Sequence, residues 1–234
     1  MLEGKKIIVT GSASGMGEAT LKAYVKAGAN VVGMDISDQK GKDISSNANN
    51  IGPGKCSFIH IDVSDKDSVK NAFDLALDEL KTLDVLAHPA AIQGPADASD
   101  VKVEDWDNMF AVNVRGTMLT NQTAFKYMKK NGSGSIINFG SISGLRPEPS
   151  ASAYSAAKGA VHSWTRTAAG TWGKYNIRVN AILPAIATPM YYAARKRSTE
   201  EENTVAHWRN SVPISLGQEY GDPDNDLAPV MVFF

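Results

Sequence analysis

Apolar, β-branched runs recur along the chain, and most are followed by longer stretches in which apolar positions return at helical spacing. KIIVT (6–10), NVVGM (30–34), SFIHI (57–61), LDVLA (83–87), SIINF (135–139) and IRVNAI (177–182) have the length and composition of strands. Met16 to Ala27, Asp67 to Leu80, Trp106 to Met128 and Ala153 to Tyr175 read as helices. Strands apolar on both faces, alternating with helices, predict an α/β fold: a doubly wound, mostly parallel sheet covered on both sides.

Few features interrupt this alternation. Glycine and proline gather at IGPG (51–54), NGSG (131–134) and GDPDND (221–226), which read as turns; there is no repeat and no linker. Residues 1–234 are therefore expected to form one domain, with a helical insertion at about 189–213 packed over the sheet's edge. The net charge of −1 and a pI near 6.4 give no electrostatic footprint for nucleic acid or an anionic membrane. The single cysteine, Cys56, allows no internal disulfide and no cysteine-rich metal site. The opening MLEGKKIIVTG has too short an apolar run for a signal sequence or a span, so a soluble, cytoplasmic protein with a small-molecule partner is expected.

Candidate chemistry begins after the first strand, where Thr10-Gly11-Ser12-Ala13-Ser14-Gly15-Met16-Gly17 opens directly into a helix. Such a turn offers free backbone N–H groups and a helix N-terminus to a diphosphate. Its context, strand then helix, supports dinucleotide binding over an empty tight turn. The second strand ends at Asp35, whose carboxylate can accept hydrogen bonds from ribose hydroxyls and would repel the extra phosphate of NADP. Ile36 follows where an arginine would favour that phosphate, so NAD is the expected cofactor.

In SAYSAAKGAV (152–161), Tyr154 and Lys158 stand four residues apart among small side chains, which puts both polar heads on one helical face. A free phenol titrates near 10 and is a poor base at neutral pH. An ammonium roughly 5 Å away, at an effective dielectric of about 20, would supply on the order of 3 kcal/mol, or about two pK units.

Taken together, these motifs resemble those of the classical short-chain dehydrogenase/reductase family, a Rossmann fold. The loop matches the family's T-G-x-x-x-G-x-G, and Tyr154 and Lys158 match its Y-x-x-x-K. Ser141 in NFGSISG and Asn113 in AVNVRG fall at its catalytic serine and asparagine. The resemblance implies Tyr154 as general acid/base, Lys158 as its partner and ribose ligand, Ser141 on the substrate oxygen, and Asn113 holding a water beside the lysine. It also implies cofactor contacts from Gly11, Ser14, Gly15, Met16, Gly17, Asp35, Asp62, Val63, Ala90, Tyr154, Lys158, Pro184, Ala187 and Thr188. The implied activity is NAD-dependent hydride transfer between a secondary alcohol and a ketone, in a homo-oligomer, tetramer or dimer. The alternative is a dinucleotide-binding regulatory protein on the same fold; its usual mark, loss of the tyrosine or lysine, is absent.

The chain departs from the family pattern in three places. N-N-A-G reads His88-Pro89-Ala90-Ala91, P-G reads Pro184-Ala185, and the 234 residues end with DNDLAPVMVFF, the helix that in the family leads into a seventh strand. His88 could meet the ribose or simply pack; both readings stay open. His60 reads as an edge or packed residue, and His162 and His207 lack partners at metal spacing, so no metal site is expected. Arg195-Lys196-Arg197 reads as a solvated helix face. Tyr191, Tyr192 and Trp208 fit either an aromatic pocket wall or lid packing, and Arg146 and Glu148 fall on a loop that borders the same region.

Overall fold

The computed structural model describes residues 1–148, 150–189, 191–192 and 220–234. The β-branched runs form six strands: β1 (Lys6–Thr10), β2 (Asn30–Asp35), β3 (Lys55–His60), β4 (Val85–His88), β5 (Gly134–Phe139) and β6 (Ile177–Ile182). All pair in parallel in the order β3-β2-β1-β4-β5-β6. The order reverses between β1 and β4, so a crevice opens at their C-terminal ends, the usual ligand position in such sheets.

Strand periodicity divides the core in two. Ile8, Val32, Leu86 and Ile136 face one side with Phe73 and Met128; Ile7, Val9, Val31 and Ile137 face the other with Leu21 and Tyr24. The covering helices are α1 (Gly15–Lys26), α2 (Asp38–Ala48), α3 (Lys66–Leu80), α4 (Val103–Phe110), α5 (Gly116–Asn131), α6 (Ser152–Trp172) and α7 (Ala228–Phe233). None of the described helices is long and apolar enough to cross a membrane.

Two elements differ from the sequence expectation. The helix expected from Trp106 to Met128 is α4 and α5 joined by a π-helical turn, Ala111–Arg115. Gly116 marks the junction: a Cβ there would lie 2.9 Å from Val63 Cγ2. Helix α2 was not anticipated because its buried positions are Gly41, Ser45 and Ala48, which leave no apolar period to read. The segment matching DNDLAPVMVFF is a π-turn (Pro223–Leu227) followed by α7, with Leu227 and Met231 in the core beside α1. The insertion expected at about 189–213, including Trp208 and the basic run, lies almost wholly outside the described residues, as does His207.

Candidate active site

At the end of β1 the backbone turns sharply through Gly11, with φ of +61° and a virtual Cβ only 2.7 Å from Ala90 Cα. A Cβ on Gly17 would collide with the Gly11 carbonyl oxygen. Gly15, φ +54°, faces Thr188 at ordinary van der Waals distance, so the loop and the segment after β6 meet. Ser14 caps α1 in extended conformation without using its side chain, whereas on α3 the Asp65 carboxylate accepts from Ser68 N. The first-turn amides of α1, including Met16, are thus left for an external acceptor, and the cradle fits a diphosphate.

Asp35 accepts from Ala13 N at 3.0 Å and Ser37 N at 2.9 Å, which fixes its carboxylate beside the loop. Asp62 is held by the Ser64 amide and hydroxyl at 2.9 and 2.7 Å, and Val63 packs under Gly116. Beyond β6, Ala187 N donates to Gly221 O and Gly221 N to Ala185 O, which braces the turn after Pro184. Thr188 is buried, its hydroxyl accepting from Tyr191 N at 3.2 Å.

His88 is fully built into the sheet. Its Nδ1 lies 2.7 Å from Thr10 Oγ1 and 3.3 Å from Thr120 Oγ1, while Nε2 is buried and without a partner among the described residues. Burial, with the Lys158 charge adding, pushes its pKa down to about 3, so the ring is neutral.

The remaining candidates converge across β5 and α6. Lys158 is buried and donates to Phe139 O at 2.7 Å, with Nζ 5.5 Å from the centre of the Tyr154 ring. Burial lowers its pKa to about 8. Tyr154 departs from expectation: its pKa is raised, mainly by burial and further by Glu148, against a lowering hydrogen bond with Ser141. The desolvation of a phenolate in this site outweighs the help of the Ser141 hydroxyl. Ser141 itself opens a short 3-10 turn, Ile142–Gly144, where Oγ accepts from Ser143 N at 3.2 Å.

Asn113 lies in the π-turn, but its side chain is committed elsewhere. Both amide hydrogens are used, to Ile92 O at 2.9 Å and Met109 Sδ at 3.0 Å, while Oδ1 accepts from Ile92 N at 2.9 Å. The residue braces the loop after β4; no side-chain donor is left for the expected water.

Glu148 reaches Ser143 Oγ at 3.4 Å, and the charges of Arg146 and Glu148 are felt at Tyr220. Tyr220 meets Tyr191 edge-on with ring centroids 4.8 Å apart, and Tyr191 meets Tyr192 at 5.2 Å. An aromatic wall thus stands beside the serine loop. Tyr220 escaped the sequence reading because no motif surrounds it. His60, by contrast, sits at the sheet's edge on Asp38, 2.7 Å away. Among the described residues, no three His, Cys, Asp or Glu side chains converge as metal ligands.

Residues 5–199 match the family described as short chain dehydrogenase. The chain is 34% identical over 233 residues, 99% of its own length and 90% of the relative's, to the 3-oxoacyl-(acyl-carrier-protein) reductase FabG of Thermotoga maritima. It is 37% identical over 187 residues, 80% of this chain and 74% of the relative, to a cyclopentanol dehydrogenase of Comamonas sp.. Among solved structures it resembles the 3-ketoacyl-(acyl-carrier-protein) reductase of Brucella melitensis complexed with NADH. The TM-score is 0.86 at 29% identity, over 100% of this chain and 91% of that one. The chain belongs to the short-chain dehydrogenase family of oxidoreductases, which bind a nicotinamide dinucleotide.

Proposed function

We propose that the protein is an NAD-dependent alcohol dehydrogenase or ketone reductase acting on secondary alcohols and ketones. The observation that carries this reading is the convergence of Ser141, Tyr154 and Lys158, with the phenol against the serine hydroxyl and the ammonium below its ring. Bound nicotinamide supplies or accepts the hydride. Tyr154 gives a proton to the substrate oxygen in reduction and takes it in oxidation. Ser141 Oγ donates to the same oxygen and stabilises charge developing there. Lys158, tied to Phe139 O, holds the ribose and presents a positive charge to the phenol. Asn113 keeps the Ile92 backbone in place beside them.

Support for NAD comes from Asp35, whose fixed carboxylate would face a 2′-phosphate. The aromatic wall of Tyr191 and Tyr220 supports an apolar substrate. An apolar groove of about 540 Å³ lined by Phe110, Val114, Met118 and Trp164 supports association of copies into a homo-oligomer.

NADH absorbance, followed with a panel of alcohols and ketones, tests the reading. Wild type turns over, and Tyr154→Phe falls by about 10²- to 10⁴-fold while still binding NADH. NADP supports turnover about a hundredfold less well than NAD, as expected for like charges brought together. Equal rates for wild type and Tyr154→Phe would remove the tyrosine from its role; tight NADH binding with no turnover of any substrate would favour a regulatory binder.

A further inference from the structure

His162 lies on α6 four residues after Lys158 and eight after Tyr154, so the three share one helical face. It is buried, and its ring reaches across to the loop that carries the serine. There Nε2 accepts the Ser141 backbone N–H at 3.2 Å. That amide lies just past the last sheet rung, Gly140 N to Ile182 O, so the sheet does not hold it. The imidazole supplies the acceptor that the sheet lacks.

The loop is shaped to receive the ring. A Cβ on Gly140 would collide with His162 Nε2, and one on Gly144 would lie 2.9 Å from His162 Cε1. Glycines therefore stand on both sides of the serine where the imidazole docks. Since Nε2 accepts, the ring proton must sit on Nδ1, which is buried without a partner among the described residues. A buried donor without an acceptor is unfavourable, and a leucine of similar size would avoid it. The acceptor on the opposite side of the ring accounts for a histidine here.

We propose that His162 is a positioning residue: through Nε2 it anchors the Ser141 backbone and so sets the serine hydroxyl against Tyr154. The proposal rests on the reading of Ser141 and Tyr154 given above. The groups facing the ring favour its neutral form. Burial, then Lys158 and Arg166, hold its pKa below the ordinary imidazole value, so Nε2 stays free to accept at neutral pH.

Two variants and one spectrum test this. His162→Leu removes the acceptor, whereas His162→Gln places a carbonyl oxygen near the Nε2 position. Expected for His162→Leu is a fall in kcat of about tenfold or more, as for a misplaced catalytic group, with NADH affinity and thermal midpoint little changed. His162→Gln should recover most of the loss. Equal kcat in wild type and His162→Leu, or a folded His162→Gln no better than His162→Leu, overturns the proposal.

Ring ¹⁵N spectra of wild type, read through two-bond couplings to the ring protons, should show the Nδ1–H tautomer at His162. The Nε2–H tautomer overturns the proposal whatever the kinetics show. The spectrum also keeps the two readings apart. If wild type turns over no substrate, the dehydrogenase reading fails, and the tautomer still decides whether His162 holds the serine loop.

Discussion

Burial moves the two central groups in opposite directions. The Tyr154 phenol goes up and the Lys158 ammonium comes down to about 8, because each charged form is penalised in the same low-dielectric site. Coulomb's law applied to sequence spacing counted the attraction between them and left out that penalty, which needs the packing to be known. Glu148 adds to the rise by opposing a phenolate. Glu148→Gln should therefore move the ascending limb of the oxidation pH–rate profile, which follows phenolate formation, toward lower pH. The comparison is read from kcat against pH for wild type and variant with one alcohol; a limb that stays put or moves upward contradicts the assignment. Lys158 Nζ stands 5.5 Å from the centre of the phenol ring and carries its own charge change, so the direction of movement of the limb is the informative quantity.

Elements were legible where burial and periodicity coincide. Five strands show themselves through buried apolar residues, and β3, exposed or half-buried throughout, through its aromatic and β-branched pair Phe58-Ile59; α6 shows itself through a long helical repeat bounded by glycine. Helix α2 was hidden because it packs through small residues, with Gly41 lying against the Phe58 ring. The π-turn at Asn113 was hidden for another reason. Its stability comes from partners distant in sequence, Ile92 and Val63, and no local pattern encodes them. In the candidate site, Tyr154, Lys158 and the glycine loop stood out through spacing, whereas His162 and Tyr220 required the tertiary arrangement. Two glycine substitutions separate close approach from mere flexibility. Gly17→Ala meets the Gly11 carbonyl and should cost about 1–3 kcal/mol while abolishing tight NADH binding. Gly170→Ala, within α6 and with nothing within 4 Å of its virtual Cβ, should stabilise the protein by about 0.5–1 kcal/mol. Thermal midpoints and fluorescence titration with NADH check both; equal effects would show that α1 yields at the cradle.

Across the whole molecule a buried polar layer runs beneath the crevice. Thr10 on β1, His88 on β4 and Thr120 on α5 form one part. Asn138 on β5 exchanges hydrogen bonds with Asn121 at 2.9 and 3.0 Å and donates to Thr165 on α6. This layer ties the sheet to the helices that carry the site, and it makes stability depend on pH. His88 titrates near 3 in the fold and near 6.5 when unfolded, so between those values the unfolded chain binds the extra proton. Its contribution is therefore complete above about pH 6.5 and is lost as pH falls toward 3, a change of about 5 kcal/mol over the full window. His88→Asn keeps a hydrogen-bonding side chain but cannot charge. Urea unfolding at about pH 7 and about pH 4.5 should show wild type losing about 3 kcal/mol more than His88→Asn, because carboxylate titration is common to both. Parallel losses would mean that the imidazole finds water when protonated, and that the layer opens in acid without breaking the fold.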